Sequence, residues 1–477
     1  MRSVAQQLGV PSEILVIALC LLSSFPLAII YNCIPKTNPA TRHWFSILTT
    51  SLMVVIMFDV WALMHLLVPT LVIYGLVFAK GSNPLVPVSV FVGVIVHLSF
   101  VHLQAQYWYA DDPDFVDIST PLMVLAIRLS SFAWSVYDGS RPAKDLAPAM
   151  KPYVIEDVPD LVEFLGFIFF FATFWTGPAY DYRYYYEYTR NMVGHALSHD
   201  LRYCYGMFQS ISNRAAFVGL VFGHGCEMGR NGFIQWSIFT DYTLIQRLAV
   251  VQITGFSVRA KLSAAWKFSE AAGILTGLGC NGIDPKTNSQ LYNRLENVNI
   301  RQVELGQCPR EIIEGWNKKT AGWLKRCVYL RVAPWTSSSI ATGITNLVSA
   351  FWHGLYPGFY LSFGSGIFVV LAGRMMRKYL RPHFVGVGSQ LQTFKPVYDV
   401  LGCICTVGVL NYLFTSFFVR WAYTSLKIWA AMYYAGHCAM LAVIVGLWVY
   451  GKTLVVRGRP SPPHPHPSTT DIKSKVE

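Results

Sequence analysis

A single histidine stands inside an apolar, aromatic run, Ser349-Ala350-Phe351-Trp352-His353-Gly354-Leu355-Tyr356-Pro357-Gly358-Phe359-Tyr360-Leu361. An ionisable side chain at membrane depth is costly, so its presence there points to a function. Histidine is also the side chain whose ordinary pKa suits proton transfer near neutrality. The run therefore reads as a site of proton-transfer chemistry within a membrane.

The rest of the chain must supply the membrane part of that reading. Of its 477 residues, 53% are apolar and 13% charged, half the charged share of a soluble domain. Apolar stretches recur at 14–32, 45–62, 63–79, 85–105, 119–136, 161–177, 208–223, 236–256, 262–279, 336–373 and 396–450. Each approaches or exceeds the ~20 residues that cross a hydrocarbon core, and the last two are long enough for two helices each. The fold class is all-α, a polytopic transmembrane bundle of about ten to twelve helices, some tilted or broken.

The net charge of +12 does not indicate nucleic acid. The excess falls at Lys318-Lys319, Lys325, Arg326, Arg331, Arg374, Arg377-Lys378, Arg381, Lys452, Arg457 and Arg459, near the ends of apolar spans. That is the pattern of cytoplasmic loops facing anionic lipid. The ten cysteines form neither a disulfide framework nor a zinc motif. The first apolar run reads as a retained helix rather than a signal peptide. Residues 1–450 form one integral-membrane domain, and 451–477 a proline-rich, disordered cytoplasmic tail. Lys473 and Lys475 near its end resemble a dilysine signal for return to the endoplasmic reticulum, so the expected location is that membrane, in multi-pass form.

Of three polar stretches, 137–160, 178–207 and 280–335, the first two mix charge with aromatics in the manner of a membrane-water interface, and the third opens on a loop-like run, Gly277 to Gly282. In the third, Trp316, Thr320, Trp323 and Leu324 share one face at helical spacing, which predicts an amphipathic or re-entrant helix. The spacing His195-x-x-x-His199-Asp200 is compatible with a metal, but no Cys or carboxylate with convincing spacing completes it, and no metal is expected; His224-Gly225-Cys226-Glu227 is weaker still.

The Trp316-Asn317 helix, the hydroxyl-rich segment from Thr336 to Ser349, and Trp352-His353-Gly354 follow one another with 36 residues from Asn317 to His353. This combination resembles the membrane-bound O-acyltransferase family. Trp266-Lys267-Phe268-Ser269-Glu270-Ala271, Val298-Asn299-Ile300 and Gly177-Pro178-Ala179-Tyr180-Asp181-Tyr182 resemble its lysophospholipid branch, closest to the fungal and plant enzymes, over residues 160–365. Phe359 stands where the family often has tyrosine. The resemblance implies a buried catalytic chamber and transfer of a fatty acyl group from acyl-CoA to the free hydroxyl of a lysophospholipid, at sn-2. The partners implied are acyl-CoA as co-substrate, lysophospholipid and membrane lipid, with no cofactor.

Making an ester from a thioester and an alcohol needs a base for the hydroxyl and a donor for the developing oxyanion. His353 can be the base. Asn317 cannot exchange protons, but its amide can hydrogen-bond the alcohol or the thioester carbonyl. Trp316, Thr320, Trp352, Tyr356, Glu270, Ser269, Asn346 and Tyr360 are candidates for substrate contact. Lys318, Lys319, Lys325 and Arg326 are either contacts for the CoA phosphates or ordinary positive-inside residues. The alternatives are a sterol, diacylglycerol or protein acceptor within the same family and, from another class, a transporter or scramblase with His353 as proton relay.

Overall fold

The computed structural model describes residues 12–109, 115–190, 241–385, 389 and 391–456, together with Val4 and Gln7. Thus the His195/His199 pair, the His224 cluster, the 208–223 span and the dilysine lie outside the described residues. The chain is helical, with one isolated bridge, Ile283 to Gln290, among the described residues. It divides into two compact units, the first drawn from within 1–225, 257–299 and 315–355, the second from within 226–256, 300–314 and 356–477.

Unit 1 begins with α1 (Ser12–Cys33), α2 (Pro39–Met57), α3 (Val60–Lys80) and α4 (Leu85–Leu103), the last running into a π turn, Gln104–Trp108. Side chains start the helices where the sequence offers them. The Asn38 amide oxygen accepts from Thr41 N and the Asp59 carboxylate from Ala62 N.

Helix α5 (Ser119–Gly139) is the hub, buried on nearly every face. Against it lies an aromatic core made by the next segment, α6 (Leu161–Ile168) and α7 (Tyr182–Thr189), in which Phe164, Phe167 to Phe171, Phe174, Tyr180 and Tyr185 are almost wholly buried. The expected 161–177 span is therefore broken: α6 stops at Ile168 and a 3-10 turn follows at Phe171–Thr173. Arg128 of α5, itself buried, donates to the carbonyls of Phe167, Ile168 and Thr173 and to the Thr173 hydroxyl. It answers acceptors that a helix ending inside the protein would otherwise leave unpaired.

The expected 236–256 and 262–279 spans are one helix over their described residues, α8 (Leu244–Thr276). Arg259 and Lys261 end an apolar run but do not break a helix. After it, α9 (Ile300–Glu304) and α10 (Pro309–Gly315) lie in unit 2, whereas α11 (Lys318–Leu324) and α12 (Ser338–His353) belong to unit 1. A π turn, Lys325–Tyr329, extends α11.

Unit 2 is built on α13 (Pro357–Tyr379), α14 (Lys395–Val419), α15 (Ala422–Ala431) and α16 (Ala435–Val456). The 396–450 stretch thus holds three helices rather than two. Its interior centres on Val251, Val369, Tyr412, Leu413, Ile428 and Trp429. Among the described residues, seven helices are long and apolar enough to cross a membrane, against the ten to twelve expected.

Candidate active site

His353 is the last residue of α12, and its position is set by the glycine after it. Gly354 has φ +123°, a conformation that a side chain would strain, and its N–H turns back to Phe351 O at 3.0 Å. Trp352 is buried and donates its indole N–H to Met123 O of α5 at 3.0 Å. His353 itself is half-buried. His102, near the end of α4, places Nε2 3.4 Å from the Trp352 carbonyl oxygen. A carbonyl only accepts, so that nitrogen carries the hydrogen.

Asn317 is held by the same helix, α5. Trp323, wholly buried, donates its indole N–H to Ser130 Oγ at 2.9 Å. Met123 and Ser130 are two helical turns apart on one face of α5, and the two indoles that bond to them lie 6.2 Å apart. This tryptophan pair fixes the helix behind Asn317 and the helix carrying His353 on a common support. The α11 helix does not reach back to Trp316 as the residue spacing predicts. It starts at Lys318, because Asn317 takes the left-handed conformation, φ 45° and ψ 52°, which asparagine tolerates better than most residues. The Asn317 side chain makes no cap bond to α11, so that usual use of an N-cap amide is not what occupies it.

Trp316 stands just outside the helix with its ring 4.9 Å from that of Trp266, edge to face. Four residues after Trp266, Glu270 is buried and accepts from Lys267 Nζ at 2.8 Å. Ser269 is buried 3.1 Å from the Thr176 hydroxyl. Thr320 is buried and Asn346 half-buried on α12. The segment 266–270 therefore belongs to the surroundings of Trp316 in unit 1. Tyr356 and Tyr360 belong to unit 2, where the Tyr356 ring meets Trp421 at 5.4 Å and carries Arg420 over its face. Gly358 lies so close to Ser416 O and Arg420 O that any side chain would collide with backbone.

Three of the four basic candidates are engaged internally. Lys318 pairs with Glu296, and Lys319 donates to Arg294 O. Arg326 bonds both Asp181 oxygens, at 2.6 and 2.7 Å, while lying 3.9 Å over the Tyr153 ring. Lys325 is exposed. Burial lowers the Lys319 pKa to about 8, with Asp181 opposing the shift. Sequence reading passed over His102 and the acid Asp181 as partners of this region. For His102 the signal was present: it too is a histidine in an apolar span.

A family model described as the membrane-bound O-acyltransferase family matches residues 102–415. The chain belongs to the membrane-bound O-acyltransferase family. Within it, the Lysophospholipid acyltransferase of Saccharomyces cerevisiae is 32% identical over 458 residues, covering 90% of this chain and 73% of that protein. The Lysophospholipid acyltransferase of Schizosaccharomyces pombe is 30% identical over 468 residues, covering 94% and 88%. Lysophospholipid acyltransferase 2 of Arabidopsis thaliana is 25% identical over 452 residues, covering 93% and 95%. This acyltransferase is thus a multi-pass membrane enzyme, matched along nearly its whole length by fungal and plant relatives.

Proposed function

We propose that the protein transfers a fatty acyl group from acyl-CoA to the free hydroxyl of a lysophospholipid, at sn-2, in the endoplasmic-reticulum membrane. The observation that carries this reading is near full-length similarity to relatives named for that acceptor, together with a histidine and an asparagine braced on one helix by a tryptophan pair.

In this reading His353 takes the proton of the acceptor hydroxyl as its oxygen attacks the thioester carbonyl carbon. Asn317 donates its amide N–H to the carbonyl oxygen, where negative charge develops. The carbon–sulfur bond breaks, and the proton held by His353 passes to the leaving thiolate. The products are the new ester and free CoA thiol. A thioester is activated enough that no acyl-enzyme is required. His102 supports the backbone beside His353, and Trp316 with Trp266 lines the approach to Asn317. Lys325 is the cation best placed to meet a CoA phosphate, since Lys318, Lys319 and Arg326 are held by internal partners.

The test is CoA release from oleoyl-CoA by membranes containing the protein. Lysophosphatidyl-choline, -ethanolamine, -serine, -inositol and lysophosphatidic acid are offered beside a sterol and a diacylglycerol. Release that depends on a lysolipid supports the reading and ranks the head groups. Release driven by sterol or diacylglycerol in preference to every lysolipid overturns it.

A further inference from the structure

We infer that Asn297 is a positioning residue for Asn317: it takes over the capping of α11, leaving the Asn317 amide available to the acyl donor. The inference rests on the transfer reading above for its consequence, but on geometry for its substance.

An asparagine at a helix N-terminus ordinarily spends its side chain on the first free N–H groups. At α11 those groups go elsewhere. Lys318 N donates to Asn297 O at 2.8 Å, and Lys319 N donates to Asn297 Oδ1 at 3.1 Å. Asn317 contributes only its carbonyl, which accepts from Ala321 N at 3.0 Å. Asn297 is 2% exposed and is flanked by Leu295 and Val298, both fully buried, so it is anchored in the core. The strap continues on either side. Asn299 N donates to Gly315 O at 2.9 Å, Lys319 Nζ donates to Arg294 O, and Lys318 pairs with Glu296. Five bonds from residues 294–299 therefore hold the chain immediately before and after Asn317, and none of them uses the Asn317 side chain. The left-handed backbone of Asn317 is the geometric result: the chain reverses at that residue while a neighbouring segment carries the caps.

The experiment compares wild type, Asn297→Ala and Asn297→Asp, each purified and matched for folded protein. Aspartate keeps an acceptor where Oδ1 stands and favours a helix N-terminus; alanine removes it. Hydrogen exchange over residues 316–324 is read first, because it needs no substrate. The expected result in Asn297→Ala is faster exchange at the Lys319 amide, which loses Oδ1, while the Lys318 amide keeps the backbone carbonyl of residue 297 as its acceptor; Asn297→Asp should show wild-type protection at both. Unchanged protection in Asn297→Ala overturns the inference. In turnover with lysolipid, Asn297→Ala should lower kcat by about 10- to 100-fold, the order expected when a reacting group is displaced by an ångström. KM should stay within about twofold, and Asn297→Asp should restore most of the loss. Wild-type kcat in Asn297→Ala, or an aspartate variant as poor as alanine, also overturns it. Should wild type itself transfer to no lysolipid, the transfer reading alone falls, and the exchange arm still decides whether Asn297 holds Asn317.

Discussion

Trp323 is the member of the tryptophan pair whose contribution can be worked out most fully. Its ring is wholly buried, lies 5.8 Å from Phe91 and 6.2 Å from Trp352, and its N–H bonds Ser130 Oγ. Trp323→Phe keeps most of the ring and removes the N–H. Ser130 still donates to Ala126 O at 2.6 Å, so only an acceptor lone pair loses its partner; that loss and the small void left by the pyrrole ring should together cost about 1–3 kcal/mol. Ser130→Ala does the reverse: it strands a buried indole N–H, at about 1–3 kcal/mol. The double variant removes both ends and should cost less than the sum of the two by about 1 kcal/mol. Trp323→Ala opens a large cavity worth about 3–5 kcal/mol, a sizeable part of the net stability of a domain, and should accumulate poorly. The assay is thermal unfolding of the purified protein in detergent, with CoA release per folded molecule beside it. Trp323→Phe should fold and turn over more slowly. Additive costs for Trp323→Phe and Ser130→Ala, or wild-type turnover from a Trp323→Ala protein that folds normally, would refute the bracing role.

Other substitutions test separate parts of the account. Gly354→Ala forces a side chain onto φ +123°, a strain of about 1–3 kcal/mol; turnover should fall more than accumulation, because the displaced residue is His353. Arg128→Met strips the guanidinium donor from four buried oxygens, of which Phe167 O keeps only a 3.4 Å bond from the Tyr180 hydroxyl, and should destabilise by about 3 kcal/mol or more, read as a lower Tm with a loss of folded yield. Lys319 gives a pH signature. Its folded pKa, about 8, lies below the ordinary 10.5, so between those values the unfolded chain binds more protons and stability rises with pH. Unfolding temperatures of wild type and Lys319→Met, followed from pH 7 to 10, should therefore converge from below for wild type as pH passes 8. A gap that widens in favour of the methionine variant would count against a lysine held in a buried, cation-unfavourable place.

The membrane helices could be read from sequence, and His353 and Asn317 singled out there as candidates, because each leaves a local trace. Apolar runs mark spans, and a histidine within one is conspicuous. Gly354 also announces the end of α12, since its conformation demands glycine. The breaks within 396–450 left no such trace. They occur at Arg420, Tyr433 and Tyr434, non-glycine residues with positive φ, a conformation that their residue types do not announce. Arg420 offers its carbonyl to Gly358 N. The reverse error arose at 257–261, where charge interrupted hydropathy but not the helix. The Trp316 face was correctly periodic from Thr320 to Leu324, yet Asn317 lies outside the helix because Asn297, twenty residues earlier in the chain, supplies its caps. Long-range partners of this kind, like Asp181 for Arg326, have no signature in spacing.

Phospholipid formation from oleoyl-CoA and the preferred lysolipid, measured on purified wild type, His353→Ala and Asn317→Ala with equal folded content, decides whether these two residues carry the transfer. Wild type should give stoichiometric phospholipid and CoA, His353→Ala none above background, and Asn317→Ala a severe loss in kcat. Substantial transfer by well-folded His353→Ala would contradict that assignment.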